Sequence, residues 1–147
     1  MKAWHLTKRF IGAVTAAPLT SAERKEIRRI LLPSEQNLFD RFGTADQRHA
    51  LTVLYRFADF APEAPVEARR AALLHDIGKV ESGLGTVARV VATVVGARGV
   101  RFQRYHDHER LGFELLTAAG SDTVTLQLLR GEGDAVLLGA LRQADEI

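Results

Sequence analysis

Residues 71–79 of the chain have the sequence Ala-Ala-Leu-Leu-His-Asp-Ile-Gly-Lys. It predicts a helix with a small and apolar face that ends in the pair His75 and Asp76, with Gly78 as its terminator. Both side chains are suitable ligands for a hard or borderline divalent cation. Successive helical residues diverge by about 100°, so both can reach one ion beyond the helix end.

Lys79, just after this helix, is placed to offer a positive charge to a bound phosphate. The same residues are equally consistent with an ordinary helix C-terminus. In that interpretation His75 caps carbonyl groups and Lys79 complements the helix dipole. The motif alone therefore leaves both interpretations open.

Helical periodicity extends toward the N-terminus of this stretch. Capping and stop signals predict four helices there. The first begins at a capping box of Thr20 and Glu23 and ends at Pro33, and the second is capped by Ser34 and ends at Gly43. The third begins at a capping box of Thr44 and Gln47 and extends to Phe60, and the fourth covers residues 66–77.

The C-terminal half is also predicted to be helical. A valine-rich segment, residues 86–97, suits a buried helix better than a buried strand because its neighbours are helical. Three further helices are expected over residues 106–118, up to Arg130 after a cap at Ser121 or Asp122, and from Asp134 almost to the end. The pattern therefore predicts an all-α fold.

Two residues far from the His-Asp pair, His49 and Asp145, also have side chains that can bind a metal ion. His49 shares a predicted inward stripe with Val53 and Phe57, where a lone histidine is more often a satisfied core residue than a ligand. Asp145 follows Leu138 and Leu141 at helical spacing, so its carboxylate points toward the core. A buried carboxylate is costly unless it is paired or binds a metal, although a residue so near the end of the sequence can also be solvated.

Composition limits the possible functions. A chain of 147 residues with 46% hydrophobic residues has the size of one globular domain. It has no cysteine, so any metal must be held by His, Asp or Glu. The net charge of +2 is too small to favour nucleic acid as a partner. No apolar run approaches the roughly 18 residues that a membrane span needs, and we expect a cytoplasmic protein.

The ordered set His49, His75, Asp76 and Asp145 resembles the H…HD…D signature of the HD superfamily of metal-dependent phosphohydrolases. The extended motif His-Asp-Ile-Gly-Lys resembles the HDIG branch of that superfamily. The similarity spans residues 47–146. It implies an α-helical bundle in which these four side chains converge on one divalent metal ion, with Mn, Mg, Fe and Ni as candidates.

The opening of the chain, residues 4–10, is similar to that of small bacterial HD-domain proteins of unassigned substrate. We therefore expect one HD-type domain over residues 1–147. It would consist of a helical lead-in, residues 1–43, and an HD core, residues 44–147.

The resemblance also covers the segment around His108, because HD proteins carry a histidine four residues before a glycine, here Gly112. In relatives this histidine lines the phosphate pocket or binds a second metal. His106 is about 200° away on a regular helix and cannot face the same site. No histidine follows His108, which favours one metal over two. The family's elements for cyclic dinucleotides and for the alarmone ppGpp are absent, so neither substrate is favoured.

The resemblance implies a phosphomonoesterase or phosphodiesterase acting on a nucleotide or another small phosphate ester. Asp76 would accept a proton from the attacking water. Lys79 and His108, with Arg101 or Arg104 as weaker candidates, would neutralise the phosphoryl oxygens. Two alternatives remain: a catalytically silent domain that binds a nucleotide or partner as a sensor, and a nucleic-acid module that uses the arginines, against which the net charge argues.

Overall fold

The computed structural model describes residues 16–81 and 108–146, and all regular structure in these two segments is helical. The all-α prediction is therefore confirmed. The elements are α1 (Ser21–Ile30), α2 (Pro33–Phe39), α3 (Thr44–Phe60), α4 (Val66–Leu74), a short 3₁₀ helix η1 (Ile77–Glu81), α5 (His108–Ala118), α6 (Thr123–Leu129) and α7 (Ala135–Asp145). Along these segments, no helix has both the length and the apolar character needed to cross a bilayer.

Helix α3 supplies a large part of the hydrophobic core. Its inward stripe is confirmed, since Val53 and Phe57 are completely buried. It packs against α4 and α7, and α4 also packs against α6. The small side chains of α4, including Ala71 and Ala72, are fully buried and allow these helices to approach closely. The helices that carry the predicted ligands are therefore held in one core.

The predicted caps at the helix starts are partly correct. Thr20 and Glu23 form the expected capping box, with reciprocal hydrogen bonds of 3.2 and 2.7 Å. Asp134 caps α7 by accepting from the Leu137 amide at 2.9 Å. The capping box at Thr44 was wrong, because Gly43 precedes α3 and no side chain caps it.

The Ser34 cap was wrong as well. Pro33 is already the first residue of α2, a position it favours because its missing N–H would have no helical partner there. The Ser34 hydroxyl instead donates to the Ala119 carbonyl at 2.7 Å. Asp122 precedes α6, but its side chain makes no capping hydrogen bond to the start of that helix.

The end of α4 also differs from the prediction. The α-helix ends at Leu74 rather than at residue 77, and the chain continues through His75 and Asp76 into η1. Gly78 is not a left-handed terminator: in the described segments only Gly120, Gly131 and Gly133 have positive φ.

Gly78 is required by packing, because η1 lies directly against the start of α5. A Cβ atom on Gly78 would lie 1.6 Å from the His108 carbonyl oxygen and 2.8 Å from the Gly112 nitrogen. Only a residue without a side chain allows this approach. Leu116 of α5 is fully buried, and Leu111 and Leu115 of the same helix are half-buried. The predicted helix over residues 86–97 and the expected helix start at His106 lie outside the described residues.

A buried carboxylate that the sequence did not reveal connects the N-terminal helices to the rest of the fold. Glu35 is completely buried. It accepts hydrogen bonds from the Leu32 amide at 2.9 Å and the Ser121 hydroxyl at 2.8 Å, and lies 3.8 Å from the Arg70 guanidinium. Arg70 also donates to the Ile30 carbonyl at 2.7 Å. The division into a lead-in and a core stays a prediction, but these contacts tie the two parts together.

We expect the substitution Glu35→Ala to lower the free energy of unfolding by about 2 to 3 kcal/mol, because the Leu32 amide and the Ser121 hydroxyl lose their acceptor. Arg70 keeps its ion pair with Asp122 at 2.9 Å. Urea unfolding followed by circular dichroism measures the change. Glu35→Gln keeps the shape and an acceptor oxygen and should cost less. Equal costs for the two variants would show that the acceptor oxygen kept by Gln contributes nothing, and would contradict this expectation.

Candidate metal centre

Three different helical segments bring the predicted ligands together. His49 lies in the second turn of α3, His75 caps the C-terminus of α4 and is followed by Asp76, and Asp145 is the last residue of α7. His75 and Asp76 are 11% and 15% exposed at the side chain, whereas His49 and Asp145 are 35% and 45% exposed. The cluster therefore has a buried side and a side open to solvent.

The distances among His49, His75 and Asp76 fit a common cation, and Asp145 lies beside both histidines. His75 Nε2 lies 3.1 Å from Asp145 Oδ1 and 3.4 Å from Asp76 Oδ2, and His49 Nε2 lies 3.3 and 3.9 Å from the same two oxygens. Donor atoms that each lie about 2.1 Å from one ion are separated by about 3.0 to 4.2 Å. His49, His75 and Asp76 each offer a ligand atom within 4.8 Å of the others. The cluster is thus a possible metal site.

The hydrogen bonding of His75 decides which ring nitrogen faces the cluster. Its Nδ1 lies 2.8 Å from the Ala72 carbonyl, which can only accept, so Nδ1 carries the proton. In a neutral imidazole Nε2 is then an acceptor, and it faces the carboxylate of Asp145 at 3.1 Å. Two acceptors at this distance repel each other unless a proton or a cation lies between them. The site is built to hold positive charge at this point.

The pKa directions agree with that conclusion. Burial lowers the pKa of His75, but the hydrogen bond to Asp145 and the nearby carboxylates outweigh it, and the pKa lies above its usual value. Hydrogen bonds from His49 and His75 hold the pKa of Asp145 well below the ordinary range. The raised pKa of His75 and the lowered pKa of Asp145 both indicate that the cluster favours a positive charge at this point.

Asp76 is the most constrained carboxylate of the cluster. The Lys79 ammonium group donates to its Oδ2 at 2.6 Å, and His108 Nε2 lies 3.4 Å from its Oδ1. Burial raises the pKa of Asp76, but His108, His75 and Lys79 together hold it well below the usual value. Asp76 is therefore ionised at neutral pH and lies between the ligand cluster and the two predicted phosphate-binding groups.

The six predicted site residues thus form one cluster of side chains; they are His49, His75, Asp76, Lys79, His108 and Asp145. Arg101, Arg104 and His106 lie outside the described residues. Sequence reasoning missed Arg56, one of whose guanidinium nitrogens lies 3.4 Å from the Ala144 carbonyl, beside Asp145. Its position, seven residues after His49 in the same helix, is the only signal that could have indicated a role near the site.

Comparison with known proteins supports the family resemblance. A family model described as HD domain matches residues 47–138, more than half of the chain. The matched range contains His49, His75 and Asp76 but ends seven residues before Asp145, so the geometry alone connects Asp145 to the cluster. Neither the curated proteins nor the solved structures include a match to this chain.

Proposed function

This chain belongs to the HD-domain family, and we propose that it is a metal-dependent phosphohydrolase acting on a nucleotide or another small phosphate ester. The single observation that carries the proposal is the contact between the unprotonated face of His75 and the Asp145 carboxylate, which requires a positive charge between them. We assign His49, His75, Asp76 and Asp145 as ligands of one divalent ion, with Mn, Mg, Fe and Ni as candidates.

A divalent ion held by these residues would supply positive charge to the phosphoryl oxygens and would lower the pKa of a water molecule. Asp76 is the group that we assign to accept the proton of that water. Its low pKa makes it a weak base, so it depends on the water being acidified. The open side of the cluster, at His49 and Asp145, is the side from which a phosphate ester can approach.

Lys79 and His108 are assigned to neutralise the developing charge on the phosphoryl group. Both lie beside Asp76, so a phosphate oxygen near this carboxylate also lies near two cationic or proton-donating groups. His108 reaches this position because α5 begins against Gly78.

We expect Lys79→Met to lower kcat by about 10²- to 10³-fold, the usual effect of removing one charge-stabilising donor, while the divalent ion still binds. Steady-state kinetics and Mn²⁺ titration measure the two effects separately. Lys25→Met, which removes an exposed lysine of α1, is the matched control and should leave both unchanged. Loss of Mn²⁺ binding in Lys79→Met would show that Lys79 instead supports the ligand cluster.

A catalytically silent domain that binds a nucleotide is the alternative. The specific observation in its favour is that Asp76 already engages both Lys79 and His108, the groups that catalysis needs for the phosphate. Such a domain would bind metal and nucleotide without hydrolysing the nucleotide.

The test is metal analysis of the purified protein, followed by a screen of nucleotides and sugar phosphates with Mn²⁺, Mg²⁺, Ni²⁺ or Fe²⁺. The proposal predicts metal-dependent phosphate release that His75→Ala abolishes. Bound metal with nucleotide binding but no release across the panel would support the silent alternative. If no ion copurifies and added ions leave the melting temperature unchanged, both are wrong.

A further inference from the structure

Helix α1 carries four cationic residues within six positions. Arg24, Lys25, Arg28 and Arg29 are all exposed. None of them forms an ion pair or a side-chain hydrogen bond with the described part of the chain. In this part of the chain, by contrast, Arg41, Arg48, Arg70, Arg110 and Arg130 all have acidic partners within 4.0 Å. We call Arg24, Lys25, Arg28 and Arg29 the α1 basic face.

The acidic residues of the same helix do little to neutralise this face. Glu23 is held by Arg48 of α3 through contacts of 2.8 and 3.0 Å, and hydrogen bonds from Arg48 and Thr20 lower its pKa to about 2. Glu26 accepts a hydrogen bond from the Tyr55 hydroxyl at 2.8 Å. Both carboxylates thus face α3 and leave the four cations directed to solvent.

The geometry of the face suits a chain of phosphates. Arg24 and Arg28 are one helical turn apart, as are Lys25 and Arg29, and together they cover an arc of about 140° along about 7 Å of the helix. Ile27, on the other side of the helix, is buried in the core. Arginine guanidinium groups bind phosphate oxygens through two parallel hydrogen bonds.

An aromatic ring lies at the edge of this face. Tyr55 is 43% exposed, and its hydroxyl contacts Glu26 of α1. Exposed aromatic rings beside cationic grooves stack with the bases of single strands. The other large hydrophobic residues that the structure describes as exposed lie on helices other than α1, which argues against insertion of this face into a membrane; they are Phe60, Val66, Val124 and Val136.

We propose that the α1 basic face, with Tyr55, is a docking surface for single-stranded nucleic acid. The small net charge of the chain is an average over all residues and does not exclude such a partner. Four cations with no ion pair to residues 16–81 or 108–146 lie together on one helix. Since α1 carries none of the residues assigned to the metal centre, this proposal is independent of the proposed phosphohydrolase activity.

The test is the fluorescence anisotropy of a labelled thymidine 12-mer titrated with protein over a series of NaCl concentrations. Four neutralised phosphates predict a slope of log K against log salt of about −3. Arg28→Gln/Arg29→Gln should halve the slope and weaken binding by roughly 50-fold at about 50 mM NaCl. The matched control is Arg110→Gln/Arg130→Gln, which removes the same charge from two ion-paired arginines and should leave the slope unchanged.

The aromatic part of the proposal is tested separately. Tyr55→Leu should weaken binding by at least about fivefold, and Tyr55→Phe, which keeps the ring, should restore it. Wild-type protein should also prefer the 12-mer to an abasic strand of equal charge. Equal weakening in the control double variant, equal affinity for the abasic strand, or the absence of wild-type binding at low salt would each overturn the proposal.

Discussion

Replacing Asp145 with alanine is expected to weaken Mn²⁺ binding by more than about 100-fold and to abolish metal-dependent hydrolysis. Asp145 Oδ1 is the atom that contacts both His49 Nε2, at 3.3 Å, and His75 Nε2, at 3.1 Å. Losing even an outer hydrogen-bond partner of a ligand costs 10- to 100-fold in metal affinity, and a direct ligand contributes more. Isothermal titration calorimetry with Mn²⁺ measures the loss.

Glu146→Ala is the matched control, because it removes the same charge from the adjacent, exposed residue. It should keep the wild-type affinity for Mn²⁺. The Asp145→Ala protein should still fold, since the side chain is 45% exposed and α7 keeps its N-terminal cap. Wild-type Mn²⁺ affinity in a folded Asp145→Ala protein would remove Asp145 from the site.

Gly78→Ala is expected to cost more than about 3 kcal/mol of stability, above the usual range for an overpacked core. The added methyl group would lie 1.6 Å from the His108 carbonyl oxygen, which belongs to the backbone of α5 and cannot rotate away. Relief requires α5 to move away from η1. That movement also carries His108 away from Asp76, so any protein that folds should have reduced turnover. Urea unfolding and steady-state kinetics measure the two consequences.

Two other glycines provide graded controls. A Cβ on Gly112 would meet Ile77 Cγ2 at 3.2 Å and the Gly78 nitrogen at 3.1 Å, so Gly112→Ala should cost much less than Gly78→Ala. Gly139 in α7 has nothing within 4 Å, and Gly139→Ala should stabilise the protein by about 0.5 to 1 kcal/mol through helix propensity. A Gly78→Ala protein within about 1 kcal/mol of wild type would contradict the close packing of η1 and α5.

The residues that the sequence could identify are those that share a regular helical stripe with the core. His49 lies on the stripe of Val53 and Phe57, and Asp145 lies one turn after Leu141, so periodicity indicated their direction before any partner was known. Their convergence with His75 required only that the three helices pack together. These contacts follow from local pattern plus a helical core.

The features that the sequence could not reveal depend on contacts between distant residues. Gly78 has the same local pattern whether it ends a helix or admits a neighbouring backbone, and only the position of α5 separates the two. Glu35 was unremarkable in sequence because its partners, Arg70 and Ser121, come from α4 and from the turn before α6. A polar residue with long-range partners has no local signature.

The proposed metal centre requires four side chains from three helical segments to bind one divalent ion. A crystal structure of the protein grown with Mn²⁺, using anomalous scattering to locate the ion, tests it most directly. We predict one strong anomalous peak about 2.0 to 2.3 Å from Nε2 of His49 and His75 and from the nearest oxygens of Asp76 and Asp145. A peak bound elsewhere, or well-ordered side chains with no peak among them, would contradict the account.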